Sequence, residues 1–276
     1  MLISSNDSLE RRFTKTLLRI SPWNNVFVKK TLAFLKNRPR LFSGLISTVQ
    51  LSSEKHEMVV FKQLIRSGMT VIDIGANIGI YTTEAARLVG KQGRVIAFEP
   101  EKYNFQLLTE RVRKSGYKNI TLENIALSNK KGEQTFYIDS VNLGNHSFSQ
   151  KNIYDGAEAI RVHTTTIDKY LQEHGISKVD VIKIDVQGAE PLVLAGARKL
   201  LKDQSPAILL EYWPVGIKNL GQDPDKFLRS LSEYGFRFMV VDKHTKDTNP
   251  ISLSALIAES RNWQDSTDYV NLLLKK

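Results

Sequence analysis

From about residue 53 onward, apolar runs of strand length alternate with segments whose apolar positions recur at helical spacing. Runs such as TVIDIG, RVIAFEP and VIKIDV are rich in β-branched residues, whereas the segment YNFQLLTERVRKSG follows the period of an amphipathic helix. This alternation is typical of βαβ units, in which parallel strands form one sheet and helices cover both of its faces. The chain contains seven such runs, so the pattern predicts an α/β fold with a seven-stranded, mostly parallel sheet.

The first 52 residues have a different pattern, that of a basic amphipathic helical arm. Apolar positions recur at helical spacing at Leu9, Phe13, Leu17 and Ile20, and the basic residues between them are Arg11, Arg12, Lys15 and Arg19. We therefore expect two parts, an N-terminal extension over residues 1–52 and an α/β domain over residues 53–276. Two interpretations of the arm stay open: its basic face attaches to an anionic membrane surface or a partner, or its apolar face packs on the domain.

The net charge of +10 changes this picture little. Residues 1–40 carry nine Lys and Arg against Asp7 and Glu10, which accounts for seven of the ten excess charges. A nucleic-acid enzyme more often spreads basic residues around its cleft. The distribution of charge therefore gives no reason to expect a nucleic-acid partner for the domain.

The compartment is indicated only weakly. The chain has no cysteine, which fits a reducing compartment, and its N-terminus lacks a secretory pattern. Its longest apolar stretch, LFSGLISTVQL, is about half of the roughly 20 residues that a membrane-spanning helix needs. We expect a cytoplasmic protein, with peripheral membrane contact through the arm as the alternative.

In an open α/β sheet, ligands bind beyond the carboxyl ends of the strands, and the first run ends in the loop sequence GANIG. A dinucleotide pyrophosphate favours G-x-G-x-x-G, and this loop, with Gly75 and Gly79, is one glycine short. Asp73 would also repel a pyrophosphate. The cationic centres of S-adenosylmethionine, an ammonium and a sulfonium, are attracted by a carboxylate. The loop therefore predicts S-adenosylmethionine as the cofactor.

Glu99 supports the same ligand from the second strand run. It ends RVIAFEP at a distance downstream where an acid accepts hydrogen bonds from the two ribose hydroxyls of an adenosyl group. NAD would use this acid as well. Glu99 thus indicates a ribose, and Asp73 distinguishes between the two cofactors.

Six motifs carry a family resemblance. In order they are DIGANIG, IAFEP, NIAL, TTTIDKYL, KIDVQGAE and LLEYW. Over about residues 61–242, the chain resembles the FkbM family of S-adenosylmethionine-dependent methyltransferases, which have the class I, Rossmann-like fold. The resemblance implies that the last strand is antiparallel and that a hydroxyl of a sugar, glycan or other small molecule is O-methylated.

The resemblance also implies site residues. Those that line the methionine and ribose parts of the cofactor are Asp73, Gly75, Ala76, Asn77 and Gly79, with Glu99 on the ribose and Asn124 and Ala126 at the adenine edge. Asp185, in KIDVQG, would lie near the transferred methyl group. Family members often have Glu at the position of Gln187, and this difference weakens any metal or general-base role at that position.

A hydroxyl acceptor is a poor nucleophile while it is protonated, so a general base is useful. The predicted catalytic residues are Asp185, Glu190 and His146, with Glu211 as a further candidate. Each also has a structural interpretation: Asp185 as a group that orients the cofactor, Glu190 as the first acid of a helix, and His146 as a solvated loop residue. Trp213 and Tyr212 are expected either to stack on a sugar ring or to pack in the core.

No metal site is predicted, because the five histidines are scattered and cysteine pairs are absent. A magnesium ion held by Asp185, Glu190 and Glu211 stays open, since hard cations need only oxygen ligands. Two other functions also remain, an RNA 2′-O-methyltransferase and a non-catalytic adenosyl-binding scaffold. The sequence names neither the acceptor nor the oligomeric state.

Overall fold

The computed structural model describes residues 55–139, 142–153, 157–242, 245–263 and 268–276. The predicted arm at residues 1–52 lies outside the described residues, so its helices and its role stay predictions. No helix in the described ranges is both long and apolar enough to cross a membrane.

The described strands are β1 (Thr70–Ile74), β2 (Arg94–Phe98), β3 (Ile120–Glu123), β4 (Ala126–Leu127), β5 (Gly132–Ile138), β6 (Glu158–Thr165), β7 (Val181–Ile184), β8 (Ala207–Tyr212), β9 (Arg237–Val241), β10 (Thr248–Ile251) and β11 (Val270–Lys275). The helices are α1 (Lys55–Leu64), α2 (Ile80–Val89), α3 (Lys102–Ser115), α4 (Ile167–Glu173), α5 (Glu190–Ala195), α6 (Arg198–Asp203), α7 (Pro214–Asn219), α8 (Pro224–Glu233) and α9 (Leu253–Ser260), with a 3₁₀ turn at Gln150–Asn152.

One large sheet has the strand order β10-β9-β11-β8-β7-β1-β2-β3. Strands β3, β2, β1, β7 and β8 run parallel, and β11 is antiparallel to β8 and β9. The mostly parallel sheet and the antiparallel last strand are therefore confirmed. The strand order changes direction at β1 and β7, and the carboxyl ends of these strands are where this kind of sheet binds ligands.

The predicted count of seven strands is wrong, because the large sheet has eight. The additional strand, β10, pairs only with β9 at the sheet edge and has the sequence TNPI. Proline has no N–H group to donate to a ladder, so it is tolerated at an edge. A short, polar edge strand of this kind lacks the apolar run on which the prediction relied.

The segment ITLENIAL, which has the apolar pattern of a single strand, forms two strands that belong to different sheets. β3 joins the large sheet, whereas β4 pairs with β6 in a second sheet of order β4-β6-β5. This small sheet was not predicted. Alternation of Ile160, Val162 and Thr164 along β6 is the signal that could have found it.

The segment PLVLAGARKLLKD has apolar positions at helical spacing, but it is divided between two helices, α5 and α6, around Gly196. A β-carbon on Gly196 would lie 2.2 Å from the carbonyl oxygen of Ser128, which follows β4. The backbone that follows β4 therefore passes close to the residue at which the helix is interrupted. The local sequence around Gly196 does not show this contact.

Alternate side chains of the central strands enter two different layers, as the predicted helices on both faces require. Ile72 and Ile182 belong to the larger core together with residues of α5, α6, α8 and α9. On the opposite face, Ala97 packs against Leu108 of α3, and Asp73 accepts a hydrogen bond from Thr82 of α2. Polar residues of β1, β7 and β8 therefore share the face that α1 and α2 cover.

Candidate functional site

The glycine loop leaves the end of β1 and turns back into α2. The N–H groups of Gly75 and Ala76 both donate to the carbonyl oxygen of Phe98, at 3.0 Å each, which joins the loop to the end of β2. Asn77 has a φ of 49°, an unusual conformation for a residue other than glycine, and Gly79 precedes the first turn of α2. The predicted loop residues thus lie together at the carboxyl edge of the sheet.

Glu99 faces this loop from the end of β2. One carboxylate oxygen accepts from the N–H of Asn77 at 2.8 Å and the other from the N–H of Glu101 at 3.0 Å. Burial raises the pKa of Glu99 to about 8, although these two N–H groups lower it. Each oxygen still has a lone pair for a ligand hydroxyl.

Buried oxygen atoms around the loop test which ligand fits. Asp73 Oδ1, Asn77 Oδ1 and Asn104 Oδ1 are all buried and have no hydrogen-bond partner among the described residues. These atoms can only accept, so they fit a ligand that brings donors, such as the ammonium and ribose hydroxyls of S-adenosylmethionine. A pyrophosphate brings further acceptors and does not fit them.

Asp73 itself is fully buried beneath the loop. Its Oδ2 accepts from Thr82 Oγ1 at 2.6 Å, and burial raises its pKa while the charge of Lys183 lowers it. Burial of an ionised carboxylate is unfavourable without such partners. The predicted role of Asp73 at the cofactor therefore depends on one atom, Oδ1.

Asn124 and Ala126 follow β3, as the motif NIAL predicted, but they differ in environment. Asn124 is exposed, and its amide donates to the carbonyl oxygens of Glu99 (2.8 Å) and Pro100 (3.1 Å). Ala126 is buried in β4, where it packs with Phe136 and Val162 of the small sheet. Asn124 thus borders the open edge beside Glu99, while the side chain of Ala126 belongs to a small core.

A row of charged and amide side chains crosses the ends of β7 and β8. Lys183 is buried in β7, and its Nζ donates to Asp185 Oδ2 at 3.1 Å and lies 4.5 Å from the ring centre of Tyr81. Asp185 has a side chain that is 27% exposed, so it reaches solvent at the site. Gln187 and Glu211 continue the row along the edge.

Glu190 begins α5, as predicted, and is fully buried. Its Oε1 accepts from the N–H groups of Gly188 (3.2 Å) and Val186 (3.3 Å). Burial raises its pKa to about 7, and the charge of Asp185 adds to the increase. These contacts hold the loop after β7, a structural role other than the predicted one of a first acid at a helix N-terminus.

His146 lies in a segment that follows β5 and lies against the loops after β1 and β7. We call residues 142–153 the covering segment. His146 is buried, and its Nδ1 accepts from the N–H of Asp139 at 3.1 Å, so the neutral ring carries its proton on Nε2. This arrangement leaves Nδ1 unable to accept a proton from a substrate.

Four hydrogen bonds hold the covering segment in place. The carbonyl oxygen of Leu143 accepts from Asn77 Nδ2 at 3.3 Å and from Asn104 Nδ2 at 2.9 Å. Farther along, Asn152 Nδ2 donates to the carbonyl oxygens of Gln187 (2.8 Å) and Gly216 (3.2 Å). The segment therefore connects the loops that follow β1, β7 and β8.

Tyr212 and Trp213 do not offer a stacking surface. Tyr212 is fully buried, and Trp213 is 4% exposed with its ring against Gly216. The interpretation in which they stack on a sugar is wrong, and their role is core packing. Within the described ranges, no three His, Asp or Glu side chains are grouped so that they could hold a metal ion.

Three residues of this site were not predicted from the sequence: Lys183, Asn104 and Asn152. Lys183 had a visible signal, since it is a lysine inside the otherwise apolar strand VIKI. Asn104 and Asn152 had none, because asparagine is common in helices and turns at the surface.

The chain is similar to several proteins that are described as methyltransferases. Relatives include the hexuronic acid methyltransferase AglP of Haloferax volcanii, 27% identical over 162 residues (58% of this chain and 60% of that protein). Another is a probable cobalt-precorrin-6B C(15)-methyltransferase of Saccharolobus solfataricus, 29% identical over 132 residues (48% and 62%). The chain thus spans about three fifths of the length of both relatives.

Among solved structures, a precorrin-6y C5,15-methyltransferase of Geobacter metallireducens has a TM-score of 0.45 at 14% identity, over 81% of this chain and 89% of that one. The family model of the methyltransferase FkbM domain matches residues 73–238, which is more than half of the chain. The matched range includes the glycine loop, Asp185 and Glu211. The chain therefore belongs to the FkbM family, whose model is that of a methyltransferase domain.

Proposed function

We propose that this enzyme methylates a hydroxyl oxygen of a small molecule, sugar or glycan. The observation that carries the proposal is the carboxylate row, Asp185 and Glu211, which lies next to the cofactor loop at the open edge. A hydroxyl has a proton to lose, and a carboxylate beside it can accept that proton. A relative described as a hexuronic acid methyltransferase supports a sugar-type acceptor.

For the cofactor, we assign the predicted residues by their contacts. Glu99 accepts the ribose hydroxyls, the unpartnered oxygens of Asp73 and Asn77 accept donors of the methionine and ribose parts, and Asn124 borders the adenine. Gly75, Ala76 and Gly79 shape the loop. When bound, S-adenosylmethionine supplies a methyl group that its sulfonium activates.

The chain's own contribution is mainly alignment and exclusion of water. The covering segment closes one side of the site through Leu143 and Asn152. Of the predicted catalytic residues, Asp185 is the one whose side chain reaches solvent, while Glu190 holds a loop and His146 has its Nδ1 occupied. Asp185 is therefore assigned to the cofactor and acceptor, and the other two to the structure of the site.

The partners follow from the same assignment: a hydroxylated small-molecule or glycan acceptor, and no nucleic acid. Contact of the basic arm with an anionic membrane remains a separate prediction. Failure of the full-length protein to sediment with vesicles that contain phosphatidylserine would exclude that contact.

Calorimetric titration with S-adenosylhomocysteine and, separately, with NAD tests the cofactor assignment. We expect binding of the first only. Glu99→Ala should lose it, whereas Glu233→Ala, a change at an exposed glutamate of α8, should keep it. Binding of NAD alone would contradict the assignment.

The acceptor atom is tested by transfer of a labelled methyl group to methyl α-D-glucopyranoside and to D-glucuronic acid. A methyl ether resists mild alkali, whereas a methyl ester is hydrolysed and releases labelled methanol. We expect an alkali-stable product. An alkali-labile product from glucuronic acid alone would show that a carboxylate, and not a hydroxyl, accepts the methyl group.

A further inference from the structure

The amide of Gln187 bridges the two carboxylates of the row. Its Nε2 donates to Asp185 Oδ1 at 2.9 Å and to Glu211 Oε1 at 3.3 Å. A primary amide nitrogen carries two hydrogens, so one side chain can donate to both acids. The ends of β7 and β8 are thereby linked through a single residue.

Gln187 is itself held in an unusual conformation. Its φ is 51°, and a residue other than glycine keeps such a conformation only where its surroundings fix it. Its carbonyl oxygen accepts from Ser147 Oγ at 2.9 Å and from Asn152 Nδ2 at 2.8 Å, both in the covering segment. The position of the bridging amide is therefore set by the segment that closes the site.

The two bridged carboxylates differ in their remaining contacts. Asp185 uses both oxygens, one for Lys183 and one for Gln187. Among the described residues, Gln187 is the only hydrogen-bond partner of the Glu211 side chain, and Glu211 as a residue is partly exposed. Glu211 thus keeps one carboxylate oxygen for a substrate.

The surroundings of Glu211 also suit proton transfer. Burial raises the pKa of Glu211 well above its ordinary range, and the nearby acids Asp185, Glu190 and Glu57 raise it further, against the opposite effect of Lys183. A base is most effective when its pKa is near the working pH.

We infer that Glu211 is the general base that takes the proton of the acceptor hydroxyl, and that Gln187 positions it. This assignment rests on the proposed function. The acceptor O–H bond breaks, and its proton moves to a carboxylate oxygen of Glu211. The electron pair of that bond stays on the acceptor oxygen, which forms the new bond to the methyl carbon as the carbon–sulfur pair returns to sulfur.

The first test is Glu211→Gln, assayed on the hydroxyl acceptor with Glu233→Gln as the matched control. We expect kcat to fall by about 10²- to 10⁴-fold, the usual contribution of general-base catalysis. Affinity for S-adenosylhomocysteine should be unchanged, and the control should retain wild-type kcat. Wild-type kcat in Glu211→Gln, with an alkali-stable product, would overturn the base assignment and leave the proposed function intact.

The role of Gln187 is tested by the pH dependence of kcat/KM. Gln187→Ala removes a donor from Glu211, and Gln187→Glu adds a negative charge as well, so both raise the pKa of Glu211. We expect the acid limb of the profile to move to higher pH, more in Gln187→Glu. Lower activity with an unmoved limb would indicate a purely structural role.

A measurement without any acceptor completes the test. In protein with ¹³C-labelled glutamate carboxyls, the resonances that titrate above the ordinary glutamate range should include one that disappears in Glu211→Gln and whose pKa rises in Gln187→Glu. Titration of Glu211 in the ordinary range would overturn the assignment. An alkali-labile product from the wild type would overturn it together with the proposed function, since a carboxylate acceptor has no proton to lose.

Discussion

Gly75 lies so close to Asp185 that a β-carbon at residue 75 would come within 1.9 Å of the Asp185 carbonyl oxygen. Gly75 also has a φ of +76°, and Asp185 donates its N–H to the carbonyl of Ile74 at 3.0 Å. The glycine thus allows the loop after β1 to pack directly on the end of β7. This backbone contact therefore joins the glycine loop to Asp185, one of the two acids of the carboxylate row.

Gly75→Ala should therefore destabilise the enzyme strongly. Overpacking costs about 1–3 kcal/mol and a left-handed backbone about 1–2 kcal/mol for a residue with a β-carbon, so we expect a loss of about 2–5 kcal/mol in the free energy of unfolding. Urea denaturation measures it. Gly68→Ala is the control, since Gly68 has a φ of +83° and a β-carbon there would have no atom within 4 Å, so it should show only the backbone cost.

Affinity for S-adenosylhomocysteine should depend on pH through Glu99. The pKa of Glu99 is raised to about 8 by burial, and the ionised form accepts ribose hydroxyls best. Binding should then release a proton below pH 8, and affinity should rise by up to about tenfold per pH unit until it levels off above 8. Calorimetry in buffers of different ionisation enthalpy measures the proton release.

Glu99→Gln is the matched variant for this prediction. It should bind more weakly and lose the pH dependence. Affinity of the wild type that stays constant from pH 6 to 9 would mean that Glu99 does not change its protonation on binding.

The raised pKa of Glu99 also makes the free energy of unfolding depend on pH. Because the folded-state pKa of Glu99 lies above its unfolded value, its contribution is fully present below the unfolded pKa and is lost as pH rises to about 8. The free energy of unfolding should fall less steeply with pH in Glu99→Gln than in the wild type between pH 5 and 8. Parallel curves for the two proteins would contradict this.

Lys183→Met should remove the one buried cation that compensates Asp73 and Asp185 within the described residues. Loss of one partner of a buried pair costs about 3–5 kcal/mol. The cost should be larger at pH 8 than at pH 5, because a carboxylate without its cation has a raised pKa and is neutralised at low pH.

Lys178→Met provides the comparison for Lys183. Its Nζ lies 2.6 Å from Asp180 Oδ1, but its side chain is 76% exposed, so we expect a change of about 0–1 kcal/mol. Adding Asp73→Asn to Lys183→Met should recover part of the stability. No recovery would mean that packing, and not charge, accounts for the loss.

Asn152→Ala should weaken the binding of the acceptor but not the binding of the cofactor. Asn152 is buried, and the variant removes a donor from the carbonyl oxygens of Gln187 and Gly216. Gln187 keeps its bond from Ser147, whereas a buried acceptor that loses its partner costs about 1–3 kcal/mol. The KM for the acceptor should rise while affinity for S-adenosylhomocysteine stays unchanged. Asn129→Ala, at an exposed position, should alter neither quantity. Equal loss of both affinities would indicate general unfolding of the edge.

The parallel sheet, the family and the glycine loop can be predicted from the sequence, because each is encoded over a few consecutive residues. β-branched runs specify strands, and the loop from Gly75 to Gly79 follows directly from β1. Glu99 could be selected in the same way, since its position at the end of β2 is local. The small sheet and β10 were missed because their strands are short or largely polar.

Which acids and amides meet at the site depends on the folded chain, since these residues are far apart in the sequence. Gln187 receives its contacts from Ser147, 40 residues away, and Glu57 of α1 bonds Asn271 across 214 residues. The tertiary structure was also needed to show which predicted residues are buried, because burial depends on neighbours from several elements. The buried ones are His146, Glu190, Tyr212 and Trp213. Hydrogen bonds and charge effects act through space, so a pattern read along the chain locates the strand ends but not the partners of their side chains.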